Sequence, residues 1–140
     1  MPGQPSLTNW ITFNVTRIDV LEPGGVAPAG ITPANIFPVN GHFQLQVTFE
    51  GRGFIWSWVA GTQYEAHFYV EGVGVNAHDV DWPLVTGNLV AGQNIYQVVL
   101  DIPNGIDHTG IYQAYCLVRF PNCLGMSGFT DQPAYLEVAP

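Results

Sequence analysis

Apolar and polar residues alternate along four stretches of this chain. In residues 41–51, GHFQLQVTFEG, every second residue from Phe43 to Phe49 is apolar and the residues between them are polar. Successive side chains of a β-strand point to opposite faces of its sheet, so this pattern is typical of a strand with one face buried. The same alternation recurs in residues 63–72, 94–103 and 110–120. We therefore predict four half-buried strands.

The pattern weakens towards both ends of the chain and breaks in one central run. Residues 10–20 alternate until the polar Arg17 reverses the phase, which predicts a β-bulge or a change of sheet. Residues 135–138, YLEV, predict a short final strand. Residues 54–60, FIWSWVA, are continuously apolar, and we interpret them as a strand that is central or covered on both faces.

Turn-forming residues separate these runs and limit the helix content. Gly, Pro and Asn punctuate the chain at intervals of roughly 8–15 residues, which is typical of a sandwich or barrel. The segment from Leu21 to Val39 is rich in proline and glycine and predicts an ordered loop or an edge crossing between sheets. We predict an all-β, antiparallel two-sheet β-sandwich of about seven or eight strands, formed by residues 10–140 after a tail of residues 1–9.

Composition and charge restrict the classes of partner. The chain has 140 residues, 47% of them hydrophobic and 10% charged, which predicts one folded domain. Its net charge is -8, with three arginines and no lysine. Nucleic acids and anionic membranes require clustered cations, so neither is expected as a partner. No apolar stretch approaches the roughly 18 residues that span a bilayer, so membrane insertion is not expected either.

The residues from 101 onwards resemble the end of an immunoglobulin-like sandwich. In IPNGIDHTGIYQAYCLVRF, a corner with Asp107 and Gly110 leads into a strand with Tyr112 near its start, and a final strand follows. The resemblance implies a structural role for these residues, with the Tyr112 hydroxyl bonded to the corner backbone. It also implies a module of the bacterial or viral surface or structural type. An extracellular or cell-surface location is favoured over the cytoplasm, although MPGQPSLTNW has no features of a secretory signal.

The two cysteines leave two alternatives open. Cys116 and Cys123 are seven positions apart, and the first falls within a predicted strand. A disulfide needs closely defined geometry, so our main expectation is a pair of buried thiols with a structural role. A bridge that closes a short loop is the alternative.

We find no pattern that predicts catalysis. The serines, Ser6, Ser57 and Ser127, lie outside any nucleophile-elbow motif. Glu65 and Glu71 share a strand face, but an extended strand separates them by roughly 20 Å at about 3.3 Å per residue, beyond the roughly 5–9.5 Å of a glycosidase pair. We predict that the chain is not an enzyme.

Metal and ligand binding have a small number of candidate residues. The four histidines occur singly, which predicts no zinc catalysis and no cofactor. In NAHDVDW, the oxygens of Asn76, Asp79 and Asp81 could bind calcium, and a solvated acidic turn is the alternative. Aromatic side chains are the best candidates for binding, because they can stack on sugars or anchor protein interfaces. We select Trp82, Tyr69, Tyr115 and Trp10 for that role, and interpret Trp56 and Trp58 as core.

Two functions remain open from the sequence. The first is a non-enzymatic structural or adhesion module that self-associates or docks onto a protein partner, for example as a filament or surface-assembly subunit. It rests on the sandwich architecture, the low charge, the many aromatic residues and the absence of lysine from strand edges. The alternative is a carbohydrate-binding module with an aromatic platform and a calcium site. The tail, residues 1–9, could also donate a strand to a neighbouring subunit.

Overall fold

The computed structural model describes residues 12–23, 35–74, 77–123 and 127–140. Over these residues the chain forms ten strands and one 3₁₀ helix. The strands are β1 (Thr12–Leu21), β2 (Asn35–Pro38), β3 (Phe43–Arg52), β4 (Gln63–Val73), β5 (Val80–Asp81), β6 (Val85–Asn88), β7 (Ile95–Ile102), β8 (Gly110–Arg119), β9 (Ser127–Phe129) and β10 (Ala134–Ala139). The helix, Phe54–Val59, lies between β3 and β4. The predicted tail, Trp10 and Asn76 lie outside the described residues.

The strands form the two sheets of a β-sandwich, which confirms the predicted fold class. The smaller sheet has the order β1-β3-β7, and the larger has the order β2-β10-β8-β4-β5, with β6 paired to β4 and β9 paired to β8. One pairing departs from the prediction, because β2 runs parallel to β10. The described residues also contain more strands than predicted. The additional ones have two to four residues, too few to show an alternating pattern.

The alternating residues form the core between the sheets. Along β3, Phe43, Leu45, Val47 and Phe49 are fully buried while the polar residues between them are partly exposed. Burial of each such side chain contributes about 1.5–3 kcal/mol. The pattern of β4, β7 and β8 is confirmed in the same way, with buried and more exposed residues in turn.

The two features predicted near the N-terminus are present. The register between β1 and β3 shifts between Val15 and Arg17, which confirms the bulge where the polar phase reverses. The next segment crosses between sheets, because β1 belongs to the smaller sheet and β2 to the larger one. Residues 24–34 of that crossing lie outside the described residues.

The prediction of a strand over residues 54–60 is wrong. Residues Phe54–Val59 form a 3₁₀ helix, in which the Trp56 amide donates to the Gly53 carbonyl at 3.1 Å. The helix directs Trp56 inward, 6% exposed, and leaves Trp58 71% exposed, so the two rings do not share the face that a strand would give them. A continuous apolar run has no period, and periodicity alone cannot distinguish a strand from a buried helical segment.

Within the described residues, no helix has the length and apolar character needed to cross a membrane.

Candidate functional site

The outer face of the larger sheet carries a row of aromatic rings. Tyr69 on β4 and Tyr115 on β8 are opposite each other in the antiparallel register. Their ring centroids are 5.5 Å apart and their planes differ by 21°. Phe129 on β9 continues the row, with its centroid 5.6 Å from that of Tyr115 and an angle of 18°. These distances fall in the range of favourable offset stacking, so three strands contribute to one aromatic ladder.

Polar contacts join a fourth ring, that of Tyr135 on β10, to this row. The Tyr115 hydroxyl donates to the Gln113 side-chain oxygen at 2.9 Å. The amide nitrogen of the same glutamine donates to the Tyr135 hydroxyl at 3.4 Å, and the two residues are cross-strand partners. We call Tyr69, Tyr115, Phe129 and Tyr135 the aromatic face.

A buried threonine positions the ring of Phe129. Thr130 is only 1% exposed, and its hydroxyl oxygen accepts a hydrogen bond from the Cys116 amide at 3.1 Å. The Thr130 amide in turn donates to the Cys116 carbonyl at 3.2 Å. This two-way contact fixes the end of β9 against β8, so that Phe129 stands beside Tyr115 on the outer side.

The aromatic face is partly open to solvent. Phe129 is 44% exposed and Tyr135 is 54% exposed, whereas Tyr69 and Tyr115 are half-buried. Desolvation raises the pKa of Tyr69 above its ordinary value, and the Glu71 carboxylate raises it further. Desolvation also raises the pKa of Tyr115. Both phenols therefore remain protonated near neutral pH. The Tyr69 hydroxyl can act as a donor at an interface, whereas Tyr115 donates its proton to Gln113.

The two ends of this face differ in charge. At one end, Arg119 Nε donates to Glu65 Oε1 at 2.8 Å, and the guanidinium is the more exposed partner. A depression of about 100 Å³ lies beside this pair and is also lined by His67. At the other end, Glu71 on β4 and Glu137 on β10 lie on the same side of the sheet without a cation between them in the register. The face thus has a neutral, cation-bearing end and an acidic end.

The smaller sheet has a different outer face. Along β3 the outward residues are polar, namely Gln44, Gln46, Thr48 and Glu50. Within the described residues, the stacked rings on an outer sheet face belong to the larger sheet. This asymmetry distinguishes a candidate docking face from an ordinary solvated one.

The structure brings Tyr69 and Tyr115 together and separates Trp82 from them. Trp82 is half-buried and packs against the core, with its ring edge-on to Phe43 at 6.4 Å and 83°. Trp10 lies outside the described residues. Sequence reasoning missed Phe129 and Tyr135, which occur in the short strands β9 and β10. Alternation in YLEV could have indicated that Tyr135 points outward, but β9 offers no comparable signal.

The two described calcium candidates have separate contacts. Asp79 Oδ1 accepts a hydrogen bond from the Gly72 amide at 3.1 Å. Asp81 Oδ1 lies 3.6 Å from His67 Nε2, on the strand next to Tyr69. Asn76, the third residue, lies outside the described residues. A calcium site at these positions stays a prediction.

The corner before β8 is held by the tyrosine singled out from the sequence. Tyr112 is fully buried, and its hydroxyl donates to the His108 carbonyl at 2.9 Å. The His78 backbone lies near the same hydroxyl and lowers its pKa, whereas burial raises the pKa more strongly. Gly110 has a φ of 151°, and a Cβ there would lie 2.6 Å from the Cβ of Ala77. The glycine therefore lets a second loop lie directly on the corner.

This close approach creates a cluster that the sequence did not reveal. His78, Asp107 and His108 are exposed, and one ligand-capable atom from each lies within 4.8 Å of the others. Asp107 Oδ1 is 2.7 Å from His108 Nδ1 and 4.0 Å from His78 Nε2. The hydrogen bond from His108 lowers the pKa of the Asp107 carboxyl. Asp107 is thus ionised at neutral pH beside two imidazoles.

Both cysteines are free thiols. Cys116 is buried in β8, and Cys123 is half-buried in the turn that follows. Burial strongly raises the pKa of the Cys116 thiol. The arrangement corresponds to the expected thiol pair, except that the second thiol is only partly covered.

Comparison with known proteins identifies a similar fold. No protein-family model and no curated protein sequence matches the chain. Among solved structures, the chain is similar to the CARDB domain of a protein from Pyrococcus furiosus, determined in complex with di-metal ions. The TM-score is 0.52 at 11% identity, over 93% of this chain and 90% of that one. At this identity the likeness concerns the fold alone, and it supports an immunoglobulin-like β-sandwich.

Proposed function

We propose that this chain is a non-enzymatic structural module that self-associates by packing the aromatic face of one copy against that of another. The observation that carries the proposal is the aromatic ladder of Tyr69, Tyr115 and Phe129 on the outer side of the larger sheet. Tyrosine is among the residues enriched at the energetic centres of protein interfaces. Its ring buries apolar area while its hydroxyl retains a hydrogen-bonding partner.

The stacking of the ladder favours a protein partner over a sugar. A sugar ring binds to an open aromatic face, but offset rings 5.5 Å apart cover part of each other's faces. Stacking thus leaves the ring edges more accessible than the ring faces. Such a surface suits interdigitation with side chains of a second protein.

The charge distribution favours a second copy as that protein. A two-fold interface is self-complementary, because the same patch is used twice in opposite directions. In an antiparallel, face-to-face pair, the Arg119 end of one copy lies over the Glu71 and Glu137 end of the other. The rings then meet at the centre, and each acidic end faces the neutral, cation-bearing end of the other copy. A parallel pair would instead place two acidic ends together, so charge favours the antiparallel register.

Sedimentation velocity over a concentration series tests this proposal. We expect the wild-type chain, 15.3 kDa as a monomer, to form a larger species as its concentration rises. Tyr115→Ser should weaken association at least about tenfold, because truncation of a central interface residue typically costs more than about 1–2 kcal/mol. Phe129→Ser should act in the same direction.

Trp58→Ser provides the matched control. Trp58 is 71% exposed and lies in the 3₁₀ helix, away from the aromatic face. The Trp58→Ser variant should associate like the wild type, because it removes a large aromatic side chain from a different surface. A wild-type chain that remains a 15.3 kDa monomer at all concentrations would contradict the proposal. Equal association of Tyr115→Ser and wild type would also contradict it.

A role as a filament or surface-assembly subunit requires a second contact. A two-fold pair is closed, whereas a filament needs a head-to-tail interface in addition. The edge strand β7 is our candidate, since Ile95 is 56% and Val99 39% exposed on it. Strand donation by residues 1–9 is the other route, and deletion of those residues distinguishes the two. Filaments that persist after the deletion would assign the contact to β7.

Carbohydrate binding is the second candidate. It is favoured by the exposure of the Tyr135 ring and by the amide of Gln113, whose nitrogen can donate to a sugar hydroxyl. A glycan array with wild type and Tyr135→Ser separates the two functions. Glycan binding that is lost in Tyr135→Ser would favour this candidate, and a silent array favours assembly.

A further inference from the structure

We propose that His78, Asp107 and His108 form a surface site for one divalent transition-metal ion, and that Zn²⁺ is the ion it fits best. The site lies at one end of the sandwich and includes no residue of the aromatic face. It joins the loop before β5 to the turn between β7 and β8. It is independent of the proposed function.

The donor set defines the class of metal. Two imidazole nitrogens and one carboxylate oxygen suit zinc and its first-row neighbours, whereas calcium prefers six to eight oxygen ligands. Three protein ligands with one open position are a common arrangement for zinc. Zinc also has no geometric preference from its d electrons, which makes it tolerant of a site that adjusts on binding.

The distances in the cluster bracket those of a bound ion. Zinc–ligand bonds of about 2.0–2.1 Å place tetrahedral ligand atoms roughly 3.3–3.5 Å apart. Asp107 Oδ1 lies 2.7 Å from His108 Nδ1 and 4.0 Å from His78 Nε2, one pair closer and one farther than this spacing. The side chains of all three residues are about half or more exposed, so they can rotate by the difference without disturbing the core.

The backbone that carries the two histidines is held in place before any ion binds. The Tyr112 hydroxyl donates to the His108 carbonyl and so holds the turn that carries this histidine, and the His78 backbone lies near the same hydroxyl. Gly72 contributes from the neighbouring strand. A Cβ at that position would lie 2.6 Å from the backbone nitrogen of His78, so only glycine lets the loop lie this close to the sheet.

The carboxylate of Asp79 adds a third attachment for the same loop. Its Oδ1 accepts a hydrogen bond from the Gly72 amide at 3.1 Å. The structure thus fixes the spacing of His78 and His108 through groups that would not themselves bind the ion. Preorganisation of this kind lowers the entropic cost of bringing three ligands together.

Isothermal titration of the untagged full chain with Zn²⁺ alone tests the proposal. We expect one ion per chain for the wild type. His78→Ala, His108→Ala and Asp107→Asn should each weaken binding by at least about tenfold, since even loss of a residue that only supports a metal ligand costs about 10–100-fold. Titration with Co²⁺ should give a visible absorption band that the three variants lose.

Two matched controls keep the test specific. His42 pairs with Asp101 on the smaller sheet, so His42→Ala removes another exposed histidine that also has a carboxylate partner. Cys123→Ser removes the partly exposed thiol. Both should retain binding within about twofold, and thermal unfolding should show that every variant is folded. The absence of zinc binding to the wild type, unchanged affinity in the three site variants, or preferential binding of Ca²⁺ would overturn the proposal.

Discussion

The Tyr112 hydroxyl donates a hydrogen bond to the His108 carbonyl oxygen, 2.9 Å away, across the corner that precedes β8. The tyrosine is fully buried, and the bond itself lies partly covered at one end of the sandwich. It fixes the turn between β7 and β8, and the backbone of His78, in the loop before β5, lies near the same hydroxyl. One phenol therefore holds the turn that carries Asp107 and His108, two residues of the proposed metal site.

Tyr112→Phe should destabilise the protein by about 1–3 kcal/mol. The change keeps the ring but removes the hydroxyl, and it leaves the partly buried His108 carbonyl without this donor. Urea unfolding at neutral pH measures the effect. Tyr135→Phe, which removes a hydroxyl from an exposed ring, should change stability by less than about 0.5 kcal/mol. Equal stability of Tyr112→Phe and wild type would show that the corner bond contributes nothing.

Trp56 and Trp58 should differ sharply on truncation. Trp56 is 6% exposed and its indole nitrogen donates to the Gln93 carbonyl at 3.0 Å, whereas Trp58 is 71% exposed. Trp56→Ala should cost about 3–5 kcal/mol, because it leaves a cavity and removes one of the two donors to the Gln93 carbonyl. Trp58→Ala should change stability by no more than about 0.5 kcal/mol. Similar losses for both would support the strand that the sequence suggested over the 3₁₀ helix in the structure.

The alternation of apolar and polar residues predicted the long strands. It did not predict the short strands, whose formation depends on partners that are distant in the sequence. In β3 and β8 each alternate residue is buried, so the period of two reports the fold directly. The short strands β5 and β9 have two and three residues, and they exist because β4 and β8 offer them backbone partners. No local pattern encodes such a pairing.

The candidate sites could likewise be predicted only in part from the local sequence. Tyr69 and Tyr115 could be selected because each occupies a polar phase of an alternating strand. Their stacking follows from a register that only the sheet determines. The grouping of His78 with His108 was not predictable, because 29 residues lie between them along the chain and their loops meet through the close approaches at Gly72 and Gly110.

The two thiols should differ in reactivity in the folded protein. The thiolate is the nucleophile, and burial strongly raises the pKa of Cys116, so this thiol should resist alkylation at neutral pH. Cys123 is half-buried in a turn and should react first. Iodoacetamide labelling followed by peptide mass spectrometry measures both sites, and both should react after denaturation in urea. Rapid labelling of Cys116 in the native protein, or a disulfide between the two, would contradict this assignment.

Protonation of Asp101 should make the folded protein less stable in acid. A hydrogen bond from His42 lowers the pKa of its carboxyl below the usual value of about 3.9, and a hydrogen bond from Gln44 lowers it further. A folded-state pKa below the unfolded value stabilises the fold above the unfolded pKa, and this contribution is lost as the pH falls through the folded pKa. Asp101→Asn should therefore be less stable than wild type at pH 6, and the difference should shrink below about pH 3. A difference that stays constant across this range in urea unfolding would argue against the linkage.

Amide chemical shifts in a dilution series test the proposed interface most directly. In ¹⁵N-labelled protein, we predict concentration-dependent shifts at Tyr69, Tyr115 and Phe129 and at the charged ends of the same face. The amides of Gln46 and its neighbours on the smaller sheet should not move. Tyr115→Ser should abolish the dependence. Shifts that are independent of concentration, or that map to the polar face of β3, would contradict self-association through the aromatic face.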